Sequence, residues 1–202
     1  MAASFRKTLP VALALEGRNV LLLGGGAEAE DKFAQLRAAG ARVTLVAERT
    51  GEALRGAAQR GELIWFARRF LTSDLVGAQF VLLTDQDERL ALQLKQLKAR
   101  HAFWLCALDQ PQHSDVFMVS IVRRGPLHIA IGTGGGAPLL ARRIRQALEA
   151  GLPQGLANFA RSFADLRASL RHVPKAGRTQ RLQQELEGFA MDVHVSYPER
   201  ND

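Results

Sequence analysis

The stretch Val20-Leu21-Leu22-Leu23-Gly24-Gly25-Gly26-Ala27-Glu28-Ala29 decides how the chain is read. Four consecutive aliphatic residues predict a buried strand, and three glycines turn the backbone before a helix-forming run begins at Ala27. The spacing Gly24-x-Gly26-x-x-Ala29 fits a dinucleotide fingerprint. Its first glycine permits a tight turn, its second lets a pyrophosphate approach the backbone, and its small third residue lets helix pack on strand. The N–H groups at the helix start would face the phosphates. Glycine turns between strands and helices are common, so the meaning of this one depends on its setting.

Outward from the turn, the chain alternates strand and helix. Ala27 to Ala39 is rich in Ala, Glu, Lys, Gln and Leu and is followed by Gly40, which predicts a helix with a glycine at its end. Further strands are expected at 42–46, 62–66, 79–83 and 103–108, with helices at 52–59 and 87–100 between them. Leu90, Leu94 and Leu97 fall at helical spacing. This rhythm predicts a doubly wound α/β parallel sheet through about residue 110. Beyond it, 116–122 and 127–131 read as two strands joined by Arg123-Arg124-Gly125-Pro126, an antiparallel hairpin. A second glycine cluster, Gly132 to Gly136, leads to Pro138 at the start of a helix reaching about Ala150. Residues 153–190 carry only helical patterns, interrupted at Pro174–Gly177, and 193–202 read as a frayed end.

The chain has 202 residues, of which 47% are hydrophobic, enough for a core and against disorder. A single cysteine excludes an internal disulfide and points to a reducing, cytoplasmic setting. The start, with Arg6-Lys7 before a short apolar run, resembles a signal peptide, but Glu16-Gly17-Arg18 interrupts it, so it reads as a lead-in strand or loop. No stretch approaches the ~20 apolar residues of a membrane span. The net charge of +7 favours an acidic partner. The basic residues are scattered and stacking aromatics are few, so nucleic acid is not expected.

In open α/β sheets ligands bind beyond the carboxyl ends of the strands. That rule places Thr84 and Asp85 after the fourth strand, and Asp109 after the fifth, on the same rim as Gly24, Gly25 and Gly26. An aspartate beside a nicotinamide can abstract a proton or orient a substrate. His113 is a candidate ligand contact. The scattered histidines give no metal-binding spacing, so no metal cage is expected, and Cys106 within an apolar strand reads as a buried, inert thiol. At the end of the second strand Glu48 favours NAD while Arg49 would serve a 2′-phosphate, which leaves the cofactor open. The Gly132–Gly136 run is either an anion cradle or a flexible connection.

Together these residues resemble a family. Leu9-Pro10, the glycine turn with Lys32, Ala39-Gly40-Ala41-Arg42-Val43-Thr44, Thr84-Asp85, Asp109-x-Pro111 and Phe117-Met118 occur in a specific order. They continue with Ser120-Ile121-Val122, Arg124-Gly125-Pro126-Leu127, Ile129-Ala130-Ile131, Gly134-Gly135, Pro138-Leu139-Leu140-Ala141-Arg142 and Leu152-Pro153. The chain is similar in this to the precorrin-2 dehydrogenase/sirohydrochlorin ferrochelatase family, also found as the N-terminal module of siroheme synthase. The resemblance implies a Rossmann NAD-binding domain over 1–112, a hairpin-plus-helix dimerisation segment over 113–152, and a helical region over 153–202. It implies NAD-dependent oxidation of precorrin-2 to sirohydrochlorin by a homodimer, with ferrous iron as a further substrate. Asp109 would be the catalytic residue. Gly24, Gly25, Gly26, Ala27, Glu28, Glu48, Arg49, Thr84 and Asp85 would contact the cofactor. His113, Arg123, Arg124, Thr133, Gly134 and Gly135 would contact the polycarboxylate tetrapyrrole, the arginines being chosen for their charge. Several positions depart from the family pattern: Cys106 stands for Asn, Asp115 for Ser, Val119 for Pro and Arg123 for a frequent Asp. Gly132 and Gly136-Ala137 replace hydroxyl-rich positions, and Thr133 falls where some relatives carry a regulatory serine. These departures keep open a second reading, a catalytically lapsed tetrapyrrole- or nucleotide-binding sensor of the same fold.

Overall fold

The structure, a computed structural model, describes residues 7–197. Arg6 and the end of the chain from Pro198 to Asp202 lie outside them, so the expectations for those residues are not addressed. Residues 7–15, the expected lead-in, carry no strand or helix.

The first part of the chain is an alternating α/β unit. Strands β1 (Asn19–Leu23), β2 (Arg42–Val46), β3 (Ile64–Phe66), β4 (Phe80–Leu83) and β5 (Trp104–Ala107) form one parallel sheet in the order β3-β2-β1-β4-β5. Helices α1 (Ala27–Ala38), α2 (Glu52–Gln59) and α3 (Glu88–Leu97) connect them. The aliphatic run of β1 is explained by burial from both sides. Val20 and Leu22 pack in a core with Phe33, Leu36 and Leu54 from α1 and α2, while Leu21 and Leu23 pack with Ala91 and Leu94 from α3. Each of the four strand residues is at most 1% exposed, and each such aliphatic side chain contributes about 1.5–3 kcal/mol. The strand order reverses between β1 and β4, where Leu23 lies level with Leu83 and Leu83 with Ala107. The expected rim therefore exists, with Gly24, Thr84 and Leu108 as the first residues beyond it.

Around the hairpin, two boundaries differ from expectation for physical reasons. Val116–Val119 are not in a strand. Asp115 and Val116 donate their N–H groups to Leu105 O (2.8 and 3.1 Å), and the Asp115 carboxylate accepts the Leu105 N–H (3.0 Å). These residues close the outer edge of β5, which an open sheet must protect. The hairpin consequently starts at β6 (Ser120–Arg124) and returns as β7 (Leu127–Ile131). Arg123 and Arg124 belong to β6, and the turn itself is Gly125-Pro126.

The remaining helices are α4 (Pro138–Gly151), α5 (Gly155–Ser169) and α6 (Lys175–Glu185). The expected break at Pro174–Gly177 is narrower than the sequence implied. Pro174 precedes α6 as its N-cap and Gly177 lies inside it, because a proline at a helix start gives up no needed donor. Phe159 stacks on Phe189 at 5.6 Å and lies 6.2 Å from Phe163.

By internal contacts the chain separates into two units. One contains the residues through Ser120 together with Ile131–Arg143, and the other contains Ile121–Ala130 and the residues from Ile144 onward. The segment 113–152 is thus shared between the two. Among the described residues no helix is long and apolar enough to cross a membrane.

Candidate functional site

The glycine turn is shaped by what its neighbours leave no room for. Gly24 has φ +109°, and a Cβ there would collide with Thr84 Oγ1 and fall 2.5 Å from Asp85 Oδ1. A Cβ on Gly25 would run into the Arg49 carbonyl. A Cβ on Gly26, in contrast, would meet nothing within 4 Å. Gly26 is the N-cap of α1 without any side-chain cap, so the N–H groups of Ala27, Glu28 and Ala29 have no intrahelical partner. Closed backbone at Gly24 and Gly25, with open space over an uncapped helix start at Gly26, is the cradle a pyrophosphate requires. The residues present fit a dinucleotide.

The loop after β2 is tied to this turn. Gly51 N–H and the Thr50 hydroxyl both donate to Gly25 O (3.3 and 3.4 Å), and Gly24 N–H donates to Val46 O (3.3 Å). Thr50 is buried. Glu48 and Arg49 are exposed just before it.

Across the rim, the Thr84 hydroxyl donates to Leu23 O (3.0 Å), fixing β4 against the turn. Asp85 follows, and burial raises its carboxyl above the ordinary aspartate range, with the Asp87 charge adding to the effect. The Gln110 side-chain amide donates to Asp85 O (3.3 Å), so the chain beyond β5 is linked to the chain beyond β4. Asp109 stands between β5 and Gln110. It is exposed and adopts φ +58°, the sole left-handed non-glycine residue among the described residues. Such a conformation is a local strain and a marker of functional sites.

The turn Pro111–His113 completes this side. The Gln110 Oε1 atom and both ring nitrogens of His113 are buried without a hydrogen-bond partner. The nearest ionic neighbour of the ring is Glu88, at 3.8 Å from Nε2. The His113 side chain is 9% exposed and its nitrogens are turned inward, so it does not present them to a ligand as the sequence reading expected. Gln110 was missed as a site residue, because nothing in its sequence position announces a buried amide.

The second glycine cluster meets the same turn. A Cβ on Gly135 would stand 4.0 Å from Pro111 Cβ. Gly134 and Gly135 have φ +58° and +81°. The Thr133 hydroxyl accepts the Ala137 N–H (3.2 Å), capping the start of α4.

The two arginines of the hairpin have different fates. Arg124 is 7% exposed and donates to Leu152 O (3.2 Å), Arg123 O (2.9 Å) and Glu149 O. It therefore closes the C-terminal end of α4, where carbonyls lack partners and a cation suits the helix dipole. This corrects its placement among the carboxylate-binding residues. Arg123 is exposed, with Nη1 3.3 Å from His128 Nε2.

Cys106 is buried, and burial pushes its thiol up to about 11. Among the described residues no group of three or more His, Cys, Asp or Glu side chains could hold a metal ion.

Residues 11–120 match the family described as "Putative NAD(P)-binding", and residues 124–150 match "Sirohaem biosynthesis protein central". The chain is 39% identical over 164 residues to a siroheme synthase 1 of Aeromonas salmonicida, covering 81% of this chain and 35% of that protein. It is 32% identical over 190 residues to a siroheme synthase of Actinobacillus pleuropneumoniae, covering 94% and 38%. The chain thus spans little more than a third of the length of these relatives. Among solved structures, "SirC, precorrin-2 dehydrogenase" has the same fold, with a TM-score of 0.76, 22% identity and 88% of each chain covered.

Proposed function

The chain belongs to the putative NAD(P)-binding family, and from this together with the match of residues 124–150 to the sirohaem biosynthesis central family we propose that it oxidises precorrin-2 to sirohydrochlorin with NAD as the oxidant. The observation that carries this reading is Asp109, a strained, exposed carboxylate on the rim that also bears the phosphate cradle. When bound, the nicotinamide supplies the hydride acceptor. The macrocycle loses one hydride and one proton. The Asp109 carboxylate takes that proton as a C–H bond breaks, and releases it to solvent. The O–H bond formed on Asp109 breaks as the proton leaves, so the carboxylate is regenerated for the next turnover.

The other residues bind and orient. Gly24–Gly26 and the α1 start would hold the pyrophosphate, with Thr84 and Asp85 packed against Gly24 as further cofactor contacts. Gly134 and Gly135, beside the Pro111 turn, present backbone to the substrate. In the hairpin, the Arg123 guanidinium remains at the surface, available to an anionic group, whereas that of Arg124 is engaged. Ferrous iron is a second substrate in this reading. A homodimer is also part of it, supported by the exposed apolar residues Leu139, Leu140 and Ile144 on α4. A cytoplasmic setting is supported by the lone free cysteine.

Mixing the protein with precorrin-2 and NAD tests the reading. NADH and the absorption spectrum of sirohydrochlorin should appear together in equal amounts. Binding of both ligands by folded protein without turnover would instead establish the sensor reading.

A further inference from the structure

The sheet register brings together a charge cluster that the sequence scatters. Val46 at the end of β2 lies level with Phe66 at the end of β3. Glu48, two residues past the first, therefore shares a rim with Arg68 and Arg69, two and three residues past the second. Arg69 Nε is 3.2 Å from Glu48 Oε1, and the two side chains are 85% and 61% exposed. Arg68 is committed elsewhere: its guanidinium grips the Asp74 carboxylate through two bonds of 2.8 and 2.6 Å and lies over the Phe66 ring. Arg55 donates to Thr50 O (3.3 Å). Arg49 has an exposed side chain with no hydrogen bond or ion pair among the described residues, while its carbonyl packs against Gly25.

This is the place where an adenosine ribose must lie if the glycine turn holds a dinucleotide. A lone acidic residue there accepts the ribose 2′-hydroxyl and repels a 2′-phosphate, whereas arginine accommodates the phosphate. Here the carboxylate carries its own counter-ion. An exposed pair of long side chains is weakly held, so Glu48 can turn to the ribose hydroxyl, or turn away and leave the Arg69 and Arg49 guanidiniums facing a phosphate. Guanidinium forks bind phosphate bidentately and are suited to this exchange.

We infer that the Glu48–Arg69 pair, with Arg49, is a cofactor selector that lets this chain bind both NAD and NADP. The inference rests on the dinucleotide reading of the glycine turn and goes beyond it by naming the residues that read the 2′ position. Equilibrium titration calorimetry of the full chain with NAD and with NADP, in the absence of tetrapyrrole, tests it. The wild-type dissociation constants should lie within about tenfold of each other. Arg69→Ala should raise the NADP-to-NAD ratio of constants by about tenfold, and Glu48→Gln should lower it by a similar factor, each corresponding to one charged contact. Wild-type protein that binds NAD but takes NADP more than about a hundredfold more weakly would overturn the selector and leave the NAD reading standing. A ratio unmoved in both variants, with NAD binding showing that they fold, would overturn it equally. Folded wild-type protein that binds neither nucleotide would remove the dinucleotide reading and the selector together.

Discussion

The two sides of the rim are built in opposite ways. On the β1–β2 side the backbone of the turn is tied down: Gly25 O accepts two donors, Gly24 N–H reaches Val46 O, and Leu23 O accepts the Thr84 hydroxyl. The open helix start at Gly26 and the exposed Arg49 side chain are left without partners among the described residues. On the β5 side the backbone is strained at Asp109, and three buried polar atoms of Gln110 and His113 are unpaired. A side that binds a phosphate gains from rigidity, because donors fixed in advance need no ordering when the anion arrives. A side that moves a proton is where strain tends to be stored, supported by a rigid surround. Under the proposed function, binding falls to one half of the site and chemistry to the other.

The largest test of this contrast is Asp109→Asn. Asparagine tolerates the left-handed backbone as aspartate does, so the melting temperature and the NAD dissociation constant should stay near wild type. Turnover of precorrin-2 should fall by about 10²–10⁴-fold, the range that a positioned general base supplies. Full activity in the variant would remove Asp109 from the proton transfer. The next effect belongs to the paired side. Gly24→Ala forces a side chain onto φ +109° and into Thr84 and Asp85. Strain and overpacking should together destabilise the protein by about 2–4 kcal/mol and lower its melting temperature by roughly 4–16 °C. An unchanged melting temperature would show that the turn is looser than its contacts imply.

The sequence revealed the paired side well and the strained side badly. Val20–Leu23 and the glycines are a local pattern: a buried strand and its turn are written in ten consecutive residues. The rule that strand ends share a rim was enough to place Thr84, Asp85 and Asp109 beside them. Arg69 was invisible as a partner of Glu48, since that pair depends on the register of β2 and β3. Arg124 was misread for a related reason. Arginine is usually exposed, and only the return of α4 behind the hairpin shows that its guanidinium ends a helix. Val116–Val119 read as strand because their composition is apolar, whereas their neighbours were already engaged in closing the edge of β5. His113 was expected only as a ligand contact, and no sequence pattern tells that both of its ring nitrogens are buried.

His113 also provides the smallest and most discriminating test. If the strained side stores free energy in unpaired atoms, removing them should release some of it. His113→Phe keeps a planar ring of similar size while deleting both buried nitrogens. The loss is confined to the long 3.8 Å contact with Glu88, an exposed carboxylate, and such contacts contribute little. Deleting unsatisfied polar atoms while preserving shape is neutral to stabilising, so stability should rise by about 1 kcal/mol and the melting temperature by roughly 2–4 °C. The corresponding change on the paired side, Thr50→Val, removes a buried hydroxyl that has its acceptor in Gly25 O, and should shift stability in the opposite direction. Equal losses from both substitutions would mean that the His113 nitrogens are satisfied in solution, and the contrast between the two sides would then rest on the Asp109 backbone alone.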